Sequence, residues 1–251
     1  MTLLIDAGST RLKWLSLEAN AAAGTHPAAP ASGDGDLQQI LGGITPTPRR
    51  VVVANSAGAA FAARLRDWAR RAWSLEPEFP VATREACGVR NAYARPGSLG
   101  IDRWLGMLAA RYTARGPLVV ASAGAAFTID LVDGDGRHRG GGVVPGAALM
   151  REALYAQTSD VAAAALADPP AVDGIFGINT AGGVRQGGHL ALAALADRAA
   201  LALERTAGRT PEVFLTGETA AEVAALMTCP VQQVPDLVLQ GLALLLREGS
   251  A

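Results

Sequence analysis

Leu3-Leu4-Ile5-Asp6-Ala7-Gly8-Ser9-Thr10-Arg11-Leu12-Lys13-Trp14-Leu15 is the stretch around which the chain is organised. An apolar run ends in a carboxylate, a turn of small residues follows, and a second run mixes apolar with basic residues. The pattern predicts strand, tight turn, strand. Its turn collects what a nucleotide phosphate needs. Asp6 can hold a metal, directly or through water. Gly8 lets backbone approach a ligand and can take positive φ. Ser9 and Thr10 offer hydroxyls and amides, and Lys13 a point charge. An ordinary hairpin with a polar tip carries the same short D-x-G-[ST] pattern, so this stretch alone leaves both readings open.

Half of the 251 residues are hydrophobic and mean hydropathy is +0.22. That is enough for a sizeable core, in one large domain or two modest ones. No apolar run approaches the ~18 residues of a membrane span. The first apolar run has no basic segment before it and is cut at Asp6, which argues against a secretion signal. Net charge is -1 and pI about 6.3, with no dense basic patch, so neither nucleic acid nor membrane is expected as a partner. Cys87 and Cys229 lie far apart and match no metal spacing. They read as buried thiols in a reducing cytosol, and a cytoplasmic location is expected.

Beyond the opening hairpin, Ala19 to Gly35 reads as loops around a weak edge strand. Asp36 to Leu41 is a short helix candidate, Arg50 to Ala54 a buried strand stopping at Asn55-Ser56, and Ala57 to Trp73 a helix with Phe61, Leu65, Trp68 and Trp73 at helical spacing. Pro80 to Thr83 reads as a further strand. A second series starts at Leu118 to Ser122, turns at Ala123 to Ala126, returns through Phe127 to Val132, and turns again at Asp133-Gly134-Asp135-Gly136 into a third strand, His138 to Val144. Helices follow over 147–156, 161–167 and about 180–206. Then come strand 213–216, helix 218–227, strand 231–233 and a last helix over 235–247. The second half thus repeats the plan of the first. The expected fold is α/β, a duplicated ribonuclease-H-like (actin-like ATPase) fold with two mixed β-sheets flanked by helices and a cleft between, divided into halves 1–112 and 113–251.

Tyr93-Ala94-Arg95-Pro96-Gly97-Ser98-Leu99-Gly100-Ile101-Asp102-Arg103-Trp104 starts as loop and runs into a helix. Gly100 permits a sharp turn, and Asp102 falls near the helix N-terminus, where a carboxylate is favoured by the dipole and can cap amides. Asp102 is either that cap or a base. Arg103 is either a surface charge or a fork for carboxylate or phosphate.

Asp6 to Lys13 resembles the D-x-G-N-[ST]-x-x-K opening of type III pantothenate kinases, and Tyr93 to Arg103 their Y-x-x-P-x-x-L-G-x-D-R segment. Ser122 to Asp130 resembles their second loop, Gly141 to Gly146 their G-G-x-I-x-P-G turn, and Asn179-Thr180 their N-T helix start. Val213 to Gly217 and Gly241-Leu242 match their late strand and closing helix. The resemblance implies ATP-dependent phosphorylation of pantothenate to 4′-phosphopantothenate, the first step of coenzyme A biosynthesis. It implies Asp102 as general base and Asp6 as the Mg²⁺ residue. Asp6, Ala7, Gly8, Ser9, Thr10, Arg11, Leu12, Lys13, Gly124 and Ala125 would contact ATP. Tyr93, Gly100, Ile101, Asp102, Arg103 and Thr180 would contact pantothenate, Thr180 from the partner subunit of a homodimer.

Three positions depart from the family pattern. Ser9 replaces an asparagine, keeping a hydroxyl and an amide but losing reach. Ser122 stands where many members hold a monovalent cation with an aspartate, which bears on any need for K⁺ or NH₄⁺. Ala125 replaces a phosphate-contacting threonine, a donor worth roughly 1–3 kcal/mol to a charged acceptor, unless the amides of Gly124 and Ala125 substitute. The alternative is therefore a catalytically weakened homologue acting as an accessory or regulatory binding protein. A nuclease using Asp6, Asp102 and Asp130 as metal carboxylates is a third class, disfavoured by the slightly acidic balance. His26, His138 and His189 read as structural or exposed rather than as ligands, Asp133 and Asp135 as turn residues, and the four tryptophans as core or interface anchors.

Overall fold

Residues 1–17, 23–26 and 34–249 are described by a computed structural model. Leu3, Leu4 and Ile5 are all fully buried in the first strand, β1 (Thr2–Ala7), which reads as a continuous apolar run because both of its faces are covered. β2 (Leu12–Ser16) returns antiparallel with Asp6 opposite Lys13, and β3 (Ala23–His26) adds at the edge. The loops expected on either side of β3 lie largely outside the described residues, as does the side chain of His26. After α1 (Asp34–Leu41), β4 (Arg50–Asn55) pairs parallel with β1, giving the order β3-β2-β1-β4. Leu37 and Leu41 of α1, with Phe61, Leu65 and Trp68 of α2 (Ala59–Trp73), pack on Leu3, Ile5, Val51 and Val53. Each such burial contributes roughly 1.5–3 kcal/mol.

The strand expected at Pro80 to Thr83 does not form, and Pro80 has no N–H to give a ladder. Glu78 makes a single parallel bridge to Val52 instead, its carbonyl accepting from the Val53 amide at 2.8 Å. A small hairpin follows, β5 (Glu85–Ala86) with β6 (Val89–Arg90), then a 3₁₀ turn at Pro96–Ser98 and helix α3 (Ile101–Thr113).

β7 (Leu118–Ala123), β8 (Ala126–Val132) and β9 (His138–Pro145) form an antiparallel meander. α4 (Ala147–Gln157) and α5 (Ser159–Ala167) lead to a hairpin unforeseen in the sequence, β10 (Val172–Asp173) with β11 (Phe176–Gly177), and to the long α6 (Thr180–Ala207). β12 (Glu212–Thr216) lies parallel to β7. α7 (Ala220–Ala224) is shorter than expected, because Leu226 and Met227 donate to carbonyls only three residues back. β13 (Gln232–Gln233) completes the order β13-β12-β7-β8-β9. Each sheet is therefore a meander with a fourth strand parallel to its first, and the ribonuclease-H-like plan is repeated. The fifth strand, β13 in the second sheet, is reduced to the Glu78 bridge in the first.

Asp236 to the C-terminus, assigned from the sequence to the second half, clusters with the first: the two units are Met1–Tyr112 with Asp236–Ala251, and Thr113–Pro235. The last helix, α8 (Leu237–Glu248), packs on β1. Gly241 passes so near α3 that a Cβ there would lie 2.0 Å from the Leu105 carbonyl oxygen. No helix among the described residues is long and apolar enough to cross a membrane.

Candidate active site

The turn after β1 is closed by the Gly8 amide donating to the Arg11 carbonyl at 2.9 Å. Gly8 is not among the residues with positive φ; its value is close approach, since a Cβ would meet the Arg11 oxygen at 3.3 Å. Ser56, just past β4, donates its amide and its hydroxyl to the Ala7 carbonyl, which pins the end of β1. Ser9 and Thr10 are exposed at the tip and Arg11 is half-buried. Ala7 and Leu12 turn their side chains into the core, so only their backbone can face a ligand.

Asp6 and Lys13 are direct cross-strand partners. Burial pushes the Asp6 carboxyl up to about 7; the Lys13 ammonium works against that, and the carboxylates of Asp102 and Asp236 add to it. These four groups therefore share one electrostatic neighbourhood in the first unit. Asp236 was not foreseen, because nothing local in the sequence links the head of the last helix to the first hairpin. Lys13 Nζ lies 4.0 Å from Asp236 Oδ1. Among the described residues no three His, Cys, Asp or Glu side chains converge on a point that would hold a metal alone. The raised Asp6 carboxyl fits instead an Mg²⁺ that keeps waters and phosphate oxygens in its shell.

Asp102 occupies the first turn of α3. Gly100 sits beside the carboxylate: a Cβ there would lie 2.7 Å from Asp102 Oδ1, so a side chain would make the carboxylate shift. Ile101 is buried. Arg103 Nη1 donates to the Tyr93 hydroxyl at 3.2 Å, with the guanidinium 5.9 Å from the ring centre, so these two expected substrate contacts meet each other. Two residues missed in the sequence shape this loop. Arg84 donates to the carbonyls of Tyr93 and Ala94, each at 2.9 Å. Buried Asn91 donates to the carbonyls of Thr83 and Pro96 and accepts from the Tyr93 amide. Exposed-looking polar residues in a loop give no local signal of such bonds.

In the second unit, Ser122 faces Thr128 on β8 and Thr216 on β12. The Gly124 amide donates to the Ala126 carbonyl at 3.2 Å, so it is already engaged within the turn. The Ala125 carbonyl accepts from Gly146, and the Ala123 carbonyl from the Thr219 amide. Gly146 and Gly217 press against this turn, where a Cβ would lie 2.1 Å from the Gly124 oxygen and 2.5 Å from the Ala123 oxygen. Thr180 is exposed at the head of α6, behind Asn179, whose side chain accepts from the Gly182 amide at 2.8 Å.

Asp130, the third carboxylate of a nuclease reading, is buried and lies 2.9 Å from His138 Nε2, so both residues belong to the sheet interior. Asp133 accepts from the amides of Asp135 and Arg137, which is turn chemistry as expected. Both cysteines are half-buried, and burial pushes the thiol of Cys87 up to about 12 and that of Cys229 to about 11, far from nucleophilic. A 510 Å³ cavity bounded by Asp197, Leu201, Glu212 and Cys229 lies at the start of β12 and contains none of the residues expected to contact ATP or pantothenate.

The repeated frame gives the chain a ribonuclease-H-like (actin-like) fold. Solved structures share the fold at a TM-score of 0.59: a Campylobacter jejuni protein described as a Baf family transcriptional activator (19% identity, 99% of this chain and 98% of that one) and a Sinorhizobium meliloti protein described as a 2-dehydro-3-deoxygalactonokinase (16%, 98% and 96%). The type III pantothenate kinase profile matches residues 2–202. Relatives of that name include proteins from Azoarcus sp. (36% identical over 259 residues, 100% of this chain and 92% of the relative) and Nitrosococcus oceani (32% over 262 residues, 100% and 95%). The chain belongs to the type III pantothenate kinase family.

Proposed function

We propose that this protein phosphorylates the 4′-hydroxyl of pantothenate with ATP, opening coenzyme A synthesis. The observation that carries the reading is the grouping of Asp102 with the Asp6–Lys13 pair in one electrostatic neighbourhood. Asp102 accepts the hydroxyl proton as the oxygen attacks the γ-phosphorus, and ADP departs. Lys13 offsets charge on the phosphate oxygens, and the amides around Gly8, Ser9 and Thr10 hold them. Mg²⁺ arriving with the nucleotide would neutralise further phosphate charge, and Asp6 is the residue to hold it. Arg103 and Tyr93, locked together, form one wall of the pantothenate site, with Gly100 beside the base. Gly124 and Ala125 stand where the family contacts phosphate, here without the threonine hydroxyl.

Thr180 is proposed to complete the pocket from a second copy in a homodimer. Ile175, Phe176 and Ile178, beside Thr180, and Leu149 and Leu154 of α4 are all exposed, and apolar groups of this kind mark protein interfaces. Phe176→Asp should then give monomers in sedimentation analysis. The substrates imply a cytoplasmic enzyme.

The test is pantothenate-dependent ADP formation with Mg-ATP in K⁺, NH₄⁺ and Na⁺ buffers. Turnover no greater than that of Asp102→Asn in all three would reject the kinase reading. The weakened-homologue reading draws on one observation: the Gly124 amide, one of the two that could stand in for the missing threonine hydroxyl, is engaged within the turn. Calorimetry that finds pantothenate binding without ATP binding would favour it.

A further inference from the structure

We infer that Asp236 is a positioning residue for Lys13, holding the ammonium of the chain's one lysine at the phosphate turn. Every other basic side chain among the 22 Lys and Arg residues is arginine. Arginine presents a planar fork, whereas lysine is a compact charge on a flexible stem. A chain that uses arginine everywhere else keeps lysine where a small cation must fit closely. A flexible stem needs an anchor, and the Lys13 side chain, 17% exposed, has its Nζ 4.0 Å from Asp236 Oδ1.

Asp236 stands at the N-cap of α8, where an aspartate ordinarily accepts from first-turn amides. Here its side chain makes no capping bond, and its carboxylate turns to Lys13 instead. At 60% exposure it fills no core space. Its place is set by its neighbours on the same helix, buried Leu237 and the close Gly241 contact with Leu105. Asp6, opposite Lys13, also feels the Asp236 charge. The return of the C-terminal segment to the first unit thus delivers one carboxylate to the opening hairpin.

The purpose of this contact rests on the kinase reading, but the contact can be tested apart from it. Acylation of a lone lysine is read at one peptide: trypsin does not cut after acylated Lys13, so a fragment over 12–49 replaces one over 14–49. In Asp236→Asn, labelling of Lys13 by an acetyl N-hydroxysuccinimide ester should quicken about two- to fivefold, because one of the carboxylates that hold the head is gone, and the KM for ATP should rise by about the same factor with kcat unchanged. Asp236→Glu should restore both, and all three proteins should unfold at similar temperatures. Unchanged labelling in Asp236→Asn would overturn the contact, and faster labelling with an unchanged KM for ATP would overturn the positioning role. A parent protein without kinase activity would reject the kinase reading, leaving the labelling rates to decide the contact.

Discussion

Asp6 and Ser122 hold equivalent places in their sheets. Each is the next-to-last residue of the first strand of a meander, facing Lys13 in one case and Thr128 in the other. Their parallel-strand neighbours are Ala54 and Thr216. The turn that follows spans residues 8–11 in the first sheet and 124–125 in the second, between strand ends at Ala7 and Leu12 and at Ala123 and Ala126. The first turn presents charged side chains and a polar tip. The second presents backbone, enclosed by Gly146, Gly217 and Thr219. One strand frame thus sets where a turn sits, and the side chains and the space around it decide its chemistry. The charged turn is open at its exposed tip, where Ser9 stands, while the second turn is constrained where Gly146 and Gly217 press on its backbone.

The largest contrast should come from chemistry. Asp102→Asn should lower kcat about 10²- to 10⁴-fold with little change in KM, the usual worth of a general base, while Ser122→Ala should stay within about twofold if its hydroxyl serves only the sheet. Steady-state ADP formation measures both.

The pH dependence of stability should separate the two turns next. The Asp6 carboxyl is held at about 7 in the folded chain, against an ordinary 3.8. Between these values the folded state keeps a proton that the unfolded state releases, so stability falls as pH rises across that window. Asp6→Asn should flatten the slope and, at pH 8 without Mg²⁺, exceed the parent by at most about 4 kcal/mol. Denaturant titrations at pH 5 and pH 8 test this, and a parallel pH profile for Ser122→Ala serves as the control. Equal slopes for Asp6→Asn and the parent would refute the buried-carboxyl account.

Enclosure should show in a pair of glycine substitutions. Gly146→Ala would bring a methyl against the Gly124 backbone oxygen and should cost about 1–3 kcal/mol, lowering the unfolding midpoint. Gly8→Ala, with 3.3 Å to its nearest neighbour, should cost less than Gly146→Ala in the same melt. The smallest effect is a gain: Ala125→Thr should tighten ATP by about 1 kcal/mol, roughly fivefold in Kd, by returning a donor to phosphate. No change in calorimetry would mean that this turn does not touch the nucleotide.

Much of this was legible in the linear chain because its signals are local. The β1–β2 hairpin follows from an apolar run broken by Asp6 to Arg11, and α2 from the spacing of Phe61, Leu65 and Trp68. The Asp133 turn follows from its own amide-accepting carboxylate. The family motifs carry Asp6, Asp102 and Arg103 without any three-dimensional knowledge. Short elements escaped, among them β5–β6 and β10–β11, because two-residue strands are made by their surroundings and have no period to read. Arg84 and Asn91 escaped because their bonds run to backbone carbonyls, which no side-chain pattern encodes.

Periodicity, turn residues and motif order were enough to specify the repeated frame and the presence of a charged turn, since each depends on neighbours a few positions apart. Long-range packing alone decided that the segment from Asp236 leaves the second sheet's unit and lays α8 on β1 and α3. Burial on that scale depends on which apolar faces meet, and those faces belong to distant parts of the chain. That packing turned Asp6 from a carboxylate beside a lysine into a half-buried one that feels Lys13, Asp102 and Asp236, its carboxyl pushed up to about 7.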